Sequence, residues 1–184
     1  MKEKGIDVFE EVVKTLRERG RKVRPLIVGA GPAGDDLAGR IGDAVFTGHV
    51  EGEELARAVG SADILVNPST TEAFGNVNLE AMASGLAVVS ADAPAARALI
   101  EDGKNGLIVP PRDARAYADA IERLTDDPAY RKTLADAGIA FSERYHWSAI
   151  LDNVIASYRQ AIAEGPHLRD PKVAAIAAKR RAAA

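Results

Sequence analysis

The amino-acid sequence predicts an α/β protein built on a doubly wound, Rossmann-like parallel sheet. Short apolar runs of strand length alternate with stretches of helical spacing, and Gly or Pro residues stand at the boundaries. The segment 63–92 shows this best, because a strand over 63–67 is followed by a loop, a helix and a second strand over 86–91. Two strands joined by a helix form a parallel, right-handed βαβ unit. Such sheets bind ligands beyond the carboxyl ends of their strands, so the loop after Pro68 is the first candidate site.

Composition and charge narrow the possible classes of protein. The chain has 184 residues, of which 47% are hydrophobic and 28% charged, and its formal net charge is −3. These values are typical of one globular domain, and without a basic excess we expect no nucleic-acid partner. The absence of cysteine excludes disulfides and thiolate metal sites. No apolar run approaches the roughly 18 residues of a membrane-spanning helix, and MKEKGIDVFEE is not a signal peptide, so we expect a cytoplasmic protein.

The first half of the chain alternates helix and strand. Apolar residues at helical spacing predict an amphipathic helix over 7–19, which Gly20 ends. A strand over 24–28 leads into the glycine-rich turn 29–34 and a short helix over 35–41, weakened by an internal glycine. The pattern then predicts a strand over 44–47 and a helix over 53–59.

The second half of the chain completes the sheet and adds helices at its end. The predicted elements after the strand at 63–67 are a helix opened by Gly75 and Asn76, the strand 86–91, a helix over 95–100, a strand over 106–109, and helices over 114–124, 128–140 and 147–163. We therefore assign residues 1–164 to one domain and 165–184 to a basic, alanine-rich tail. A frayed tail is favoured over a helix that contacts an anionic membrane, because large apolar residues are few.

The loop and helix after the strand 63–67 carry the candidate chemistry. Glu72 lies in the loop, and Glu80 follows eight residues later within the helix. The backbone N–H groups at this helix N-terminus favour an anion, because they lack intrahelical partners and the helix dipole is positive there. These groups belong to Phe74, Gly75, Asn76 and Val77. A diphosphate could bind these amides while the two carboxylates accept hydrogen bonds from sugar hydroxyls. The alternative is an ordinary crossover with two solvated glutamates.

Three sequence motifs resemble one enzyme family. The run EAFGNVNLE at 72–80, the run AMASG that follows it, and DGKNGLIVPPRD at 102–113 are similar to the signatures of the family 4 retaining glycosyltransferases, the group 1 glycosyl transferases of GT-B fold. The resemblance extends from about Lys4 to about Ile162 and implies the C-terminal, donor-binding half of such an enzyme. It implies that Glu72 contacts the donor sugar, that the 75–77 amides bind the diphosphate, and that Glu80 binds the ribose hydroxyls.

The resemblance also extends to the start of the chain. Glu3-Lys4-Gly5 matches a loop of the family, which implies that Lys4 contacts the donor diphosphate. The family's first strand and its arginine would lie before Met1, and that strand is central in a sheet of order 3-2-1-4-5-6. We therefore expect a fragment, a truncated reading frame or a half-enzyme whose sheet lacks one central strand. The alternative is that the second and fourth strands pair directly across the gap.

Two further patterns have competing interpretations. The resemblance implies that the backbone at Gly48, His49 and Val50 borders the nucleobase, whereas the side chain of His49 reads equally well as a surface histidine. The turn GAGPAG at 29–34 matches a dinucleotide-binding fingerprint, but the short helix after it disfavours an NAD- or FAD-binding domain. His146 and His167 lack acidic or histidine neighbours at metal-ligand spacing, so we assign no metal and no cofactor beyond the donor substrate.

The resemblance implies the donor-binding domain of a retaining glycosyltransferase. The expected reaction moves a hexose from a GDP-mannose- or UDP-glucose-type donor to a glycan or lipid acceptor, which a missing N-terminal domain would bind. In this interpretation Lys4 and Glu72 are the catalytic residues, and peripheral contact with the inner face of the membrane is conceivable. The second hypothesis is a non-catalytic nucleotide-sugar-binding module that acts only with a partner chain. The stretch APAARALIEDG departs from the family pattern, which leaves donor specificity open.

Overall fold

The structure of the chain, a computed structural model, describes residues 4–31 and 34–164, without the side chains of Asp35 and Glu164. Within this part of the chain the helices are α1 Ile6–Glu18, α2 Gly34–Ile41, α3 Gly52–Gly60, α4 Asn76–Ala83, α5 Pro94–Leu99, α6 Ala114–Asp126, α7 Pro128–Ser142 and α8 Trp147–Glu164. The strands are β1 Leu26–Ile27, β2 Val45–Phe46, β3 Ile64–Asn67, β4 Ala87–Ala91 and β5 Leu107–Val109. Every predicted helix and strand is confirmed, with the bounds shifted by a few residues.

The strands form two parallel sheets. One has the order β1-β2 and the other the order β3-β4-β5. The predicted α/β architecture is therefore confirmed, and among the described strands β1 and β2 are not hydrogen-bonded to the sheet that contains β3. The alternative was direct pairing between the second and fourth strands of the family's sheet, which correspond to β1 and β3 here. It is wrong for the strands that the structure describes, because β1 pairs only with β2.

Strands β1 and β2 are only two residues long, shorter than the predicted runs 24–28 and 44–47. Their register pairs Leu26 with Val45 and Ile27 with Phe46. A two-stranded ladder has few neighbours to stabilise it, so pairing beyond these residues is not favourable. The sequence pattern gave the location of the strands but not their length, which depends on the partners beside them.

The core lies on both faces of the three-stranded sheet. All five residues of β4 are buried, as is typical of a central parallel strand covered by helices on both faces. Helix α1 contributes Val12 and Leu16 to a cluster that also contains Tyr117 and Leu124 of α6. Val13 on the same helix packs with a smaller cluster beside β1 and β2. Helix α1 therefore packs into the core clusters beside both sheets.

The described chain divides into two compact units, the first ending at Glu143 and the second beginning at Arg144. The second unit contains α8, whose large apolar side chains are exposed, with Trp147 at 73% and Ile162 at 80%. None of the helices described here is long and apolar enough to cross a bilayer. The predicted tail 165–184 lies outside the described residues, and the assignment of 1–164 to one domain stays a prediction.

Candidate functional site

The candidate site lies at the N-terminus of α4, where Gly75 caps the helix. Its φ of 89° and ψ of 35° are left-handed values that favour glycine. Its carbonyl oxygen accepts hydrogen bonds from the N–H groups of Asn78 at 2.9 Å and Leu79 at 3.3 Å. A Cβ atom on Gly75 would lie 3.3 Å from Cδ1 of Leu99 in α5, so the helix end is also closely packed. The first N–H groups of α4 consequently point away from the helix, towards the loop that follows β3.

An open pocket of about 390 Å³ lies in front of this helix end. It brings together six of the residues that the sequence singled out, namely Lys4, Glu72, Phe74, Gly75, Asn76 and Val77. Its other walls come from the end of β3 and the start of the loop, including Asn67 and Ser69. One cation, one carboxylate and a helix N-terminus therefore face a common space. This set can bind an anionic group next to a neutral group rich in hydroxyls.

Lys4 and Glu72 are bonded to each other in the structure. The Lys4 ammonium donates to Oε1 of Glu72 at 2.7 Å, and the two side chains are 64% and 22% exposed. This hydrogen bond is the main reason that the pKa of Glu72 lies below its ordinary value. Partial burial opposes the effect, and a hydrogen bond from the Ser69 side chain reinforces it. Glu72 is therefore ionised at neutral pH and held as an acceptor on the pocket wall.

A buried polar network supports the pocket from below. Nδ2 of Asn67 donates to Oδ1 of Asn78 at 2.9 Å, and Oδ1 of Asn67 accepts from the backbone N–H of Ser69 at 3.1 Å. The Tyr117 hydroxyl donates to the carbonyl oxygen of Asn67 at 3.0 Å, and Nδ2 of Asn78 reaches Oγ of Ser90 at 3.4 Å. Burial raises the pKa of the Tyr117 hydroxyl, which keeps it protonated as a donor. The network thus links β3, β4, α4 and α6 to the loop that carries Glu72.

This network was not predicted from the sequence. The sequence indicates only that the two asparagines are buried, because Asn67 ends an apolar strand and Asn78 stands between Val77 and Leu79 within a helix. Both asparagines are nearly inaccessible, at 6% and 1% exposed. Buried amides are stable only where their hydrogen bonds are made, so such residues indicate a specific partner. The partner itself could not be read from the sequence.

Glu80 is exposed and does not line the pocket. It lies four residues after Asn76, so both side chains project from the same face of α4. Among the residues that the structure describes, no hydrogen bond or ion pair to its carboxylate is recorded. Glu80 is therefore positioned one helical turn beyond the pocket rim, and its predicted contact with a ribose stays a prediction.

Residues Gly48, His49 and Val50 form a turn outside the pocket lining. Gly48 has a φ of 67°, and its carbonyl oxygen accepts a 2.9 Å hydrogen bond from the N–H of Gly29. Nε2 of His49 lies 3.0 Å from Oε1 of Glu51, and both side chains are highly exposed. The side chain of His49 is thus a surface histidine in this structure, and the role of the 48–50 backbone at a nucleobase stays a prediction.

The loop that departs from the family pattern contains a second ion pair. Arg97 of α5 binds the carboxylate of Asp92 through two hydrogen bonds, of which Nη2 to Oδ2 measures 2.6 Å. The guanidinium holds the pKa of Asp92 below its usual range. Because α5 packs against Gly75, this arginine is fixed to the same edge of the sheet as the pocket. Within 4–31 and 34–164 no group of three acidic or histidine side chains could hold a metal ion.

The fold and the pocket together define a class of protein, an α/β domain with a pocket in front of a helix N-terminus at the carboxyl edge of its sheet. The family can be stated more closely. The chain belongs to the glycosyl transferases group 1, whose family model matches residues 1–127.

Individual relatives agree with this assignment. The chain is 36% identical over 165 residues to an alpha-D-kanosaminyltransferase of Streptomyces kanamyceticus, covering 86% of this chain and 43% of that protein. It is also 36% identical over 171 residues to a phosphatidyl-myo-inositol mannosyltransferase of Mycobacterium tuberculosis, covering 88% and 45%. The sucrose-phosphate synthase of Thermosynechococcus elongatus superposes with a TM-score of 0.77 at 31% identity, over 90% of this chain and 44% of that one. The fold is thus that of one half of a GT-B glycosyltransferase, and the chain spans less than half the length of each relative.

Proposed function

We propose that this chain binds the donor of a retaining glycosyltransferase, a hexose attached to a nucleoside diphosphate. The observation that carries the proposal is the pocket in which Lys4, Glu72 and the N-terminus of α4 meet. A nucleotide sugar presents a dianionic diphosphate directly beside a neutral, hydroxyl-rich ring. The pocket offers a cation and helix amides for the first part, and a carboxylate acceptor for the second.

The proposed mechanism assigns a separate role to each group. When the bond between the anomeric carbon and the diphosphate breaks, negative charge develops on the leaving oxygen. The amides of Gly75, Asn76 and Val77 stabilise that charge as donors fixed at the helix end, and the Lys4 ammonium adds its positive charge once it has turned to a phosphate oxygen. Glu72 accepts hydrogen bonds from the sugar and favours its positively charged transition state. The acceptor hydroxyl oxygen bonds to the same carbon on the face that the diphosphate leaves, its proton passes to the departing diphosphate, and the anomeric configuration is kept.

Donor binding requires an exchange of partners at the pocket wall. In the free structure the Lys4 ammonium and the Glu72 carboxylate satisfy each other at 2.7 Å. In the complex Lys4 turns to a phosphate oxygen and Glu72 to sugar hydroxyls. Each group thus loses one charged hydrogen bond and gains another, so binding does not leave either charge without a partner.

The finer assignments rest on the resemblance and on the names of relatives. The donor we propose is of the GDP-mannose or UDP-glucose type, and the acceptor is a glycan or lipid bound by an N-terminal domain. One relative is named as a mannosyltransferase acting on a phosphatidyl-myo-inositol, which supports a hexose and a lipid acceptor. The alternative is a nucleotide-sugar-binding module that transfers only with a partner chain. We expect no turnover in a transferase assay on the purified chain, and turnover by this chain alone would exclude the alternative. A location in the cytoplasm or at the inner face of a membrane stays a prediction.

A binding experiment with Glu80→Gln tests the donor site. UDP, GDP, ADP and NAD are titrated against the 184-residue chain by ligand-observed NMR. We expect one nucleoside diphosphate to bind, and Glu80→Gln to weaken it by about tenfold or more, because a hydrogen bond to a charged group contributes about 1.5–3 kcal/mol.

Glu11→Gln is the matched control, since Glu11 is also an exposed helical glutamate but lies in α1. Equal affinity of Glu80→Gln and Glu11→Gln would remove Glu80 from the site. Binding of NAD alone would transfer the function to the glycine-rich turn 29–34.

A further inference from the structure

We propose that Gly5 is a positioning residue, whose close contact with Pro68 holds Lys4 over the loop that carries Glu72. This inference rests on the proposed function, because Lys4 matters only if the pocket binds an anion. Gly5 is the N-cap of α1, and its backbone is left-handed with a φ of 68° and a ψ of 29°. It is buried, although its neighbour Lys4 is exposed.

The contact with Pro68 leaves no room for a side chain at position 5. A Cβ atom there would lie 2.7 Å from the carbonyl oxygen of Pro68, 2.8 Å from its Cβ and 2.9 Å from its Cγ. Carbon atoms pack best at about 3.5–4.0 Å, so any other residue would push the two segments apart by about 1 Å. Two of the three overlapping atoms belong to a rigid ring and the third to the backbone, so none of them can rotate away.

Pro68 is itself a fixed reference point. It lies between Asn67, which is buried in the polar network, and Ser69, whose N–H donates to Oδ1 of Asn67 at 3.1 Å. Pushing on Pro68 would therefore strain buried hydrogen bonds, so the displacement falls mainly on the segment that carries Lys4. Because Glu72 is held in the same loop as Pro68, the Gly5–Pro68 contact sets the distance between the Cα atoms of Lys4 and Glu72.

A second contact ties the same segment to the sheet. Oδ2 of Asp7 lies 3.1 Å from Nη2 of Arg112, in the loop that follows β5. Arg112 has a φ of 61°, which is unusual for a residue other than glycine. Both side chains are more than half exposed, so the pair contributes little energy on its own. It restricts the direction in which the start of α1 can move, and the Gly5 contact remains the main constraint.

Gly20 provides a matched control for this inference. It lies at the other end of α1 with a φ of 76°, and a Cβ atom there would meet nothing within 4 Å. Gly20→Ala therefore introduces the same left-handed strain as Gly5→Ala without the overlap. A role of Gly5 in stability alone predicts that both variants lose stability while the pocket stays intact.

The experiment compares Gly5→Ala, Gly20→Ala and Lys4→Met in the full chain. One measurement is the pKa of the Glu72 carboxyl by carbon-detected NMR, and the other is the affinity for the nucleoside diphosphate that binds the unmodified chain. For Gly5→Ala we expect the pKa of Glu72 to rise towards its ordinary value, and the diphosphate affinity to fall by about tenfold, close to Lys4→Met. Gly20→Ala should match the unmodified chain in both measurements.

The outcomes separate the inference from the proposed function. If Gly5→Ala keeps the pKa of Glu72 and the diphosphate affinity of Gly20→Ala, the positioning role is refuted. If no nucleoside diphosphate binds the unmodified chain, the proposed function fails, whereas the pKa of Glu72 still tests the positioning of Lys4. Should Gly5→Ala not fold, Gly5→Asn and Gly20→Asn replace the pair, because asparagine tolerates left-handed backbone better and has the same Cβ overlap. The same two results then support or overturn the inference.

Discussion

Asn78→Ala is the perturbation that best tests the buried network under the pocket. The side chain of Asn78 is 1% exposed and accepts the 2.9 Å hydrogen bond from Nδ2 of Asn67. Removing it leaves that amide donor buried without an acceptor, because Asn67 is itself only 6% exposed. The loop that follows Asn67 carries Glu72, so the substitution acts on the fold directly beneath the candidate site.

The magnitude follows from three contributions. A buried donor left without its partner costs about 1–3 kcal/mol. The bond from Nδ2 of Asn78 to Ser90 is long, at 3.4 Å, so its loss adds little. Alanine has the higher helix propensity and returns up to about 0.7 kcal/mol. We therefore expect a net loss of roughly 0.3–2.3 kcal/mol in the free energy of unfolding, which for a chain of this size lowers Tm by about 1–9 °C.

The assay is urea unfolding at neutral pH, followed by far-UV circular dichroism. Asn76→Ala is the control, since Asn76 lies two residues earlier in the same helix and is exposed. A double-mutant cycle with Asn67→Ala should give a coupling energy of about 0.5 kcal/mol or more, because the double variant no longer contains the Asn67 amide donor that Asn78→Ala alone leaves without an acceptor. If Asn78→Ala and Asn76→Ala unfold within about 0.5 kcal/mol of each other, the network does not stabilise the fold and the reasoning is refuted.

Two further predictions concern the ion pair and the core. The pKa of Glu72 is lower in the folded chain than in the unfolded chain, where it is about 4.3. The ion pair with Lys4 therefore stabilises the fold at pH values above about 4.3, and this stabilisation is lost as the pH falls through the pKa of Glu72 in the folded chain. Urea titrations should therefore show Lys4→Met less stable than the unmodified chain by up to about 1 kcal/mol at pH 7, and equally stable in strong acid; a constant gap would contradict this. Met82 is fully buried, so Met82→Ala should cost about 2–5 kcal/mol of unfolding free energy, and a loss below about 1 kcal/mol would mean that α7 closes the cavity.

The sequence predicted those parts of the fold that depend on local patterns. The buried strand Ala87–Ala91 and helix α1 follow from apolar runs and helical spacing. The shortness of β1 could not be predicted, because strand length depends on neighbouring strands rather than on the strand's own residues. The shared edge that holds Lys4 and Glu72, 68 residues apart, was expected only through the resemblance. The hydrogen bond between Asn67 and Asn78 could not be predicted from the sequence either, because the pairing of two amides depends on how a strand and a helix pack.

The candidate site combines a buried support with exposed reactive groups, and the two parts should respond differently to substitution. The buried residues are Asn67, Asn78 and Tyr117, and their side chains are hydrogen-bonded within the protein. Substitutions there should therefore lower the free energy of unfolding. Lys4 and Glu80 are exposed, and changes there should leave the fold nearly unaltered while affecting binding. Gly5 belongs to both parts, because it is a buried residue whose contact with Pro68 sets the position of an exposed one. A loss of diphosphate affinity in Gly5→Ala that Gly20→Ala does not share is therefore the result that would show the support acting on the chemistry.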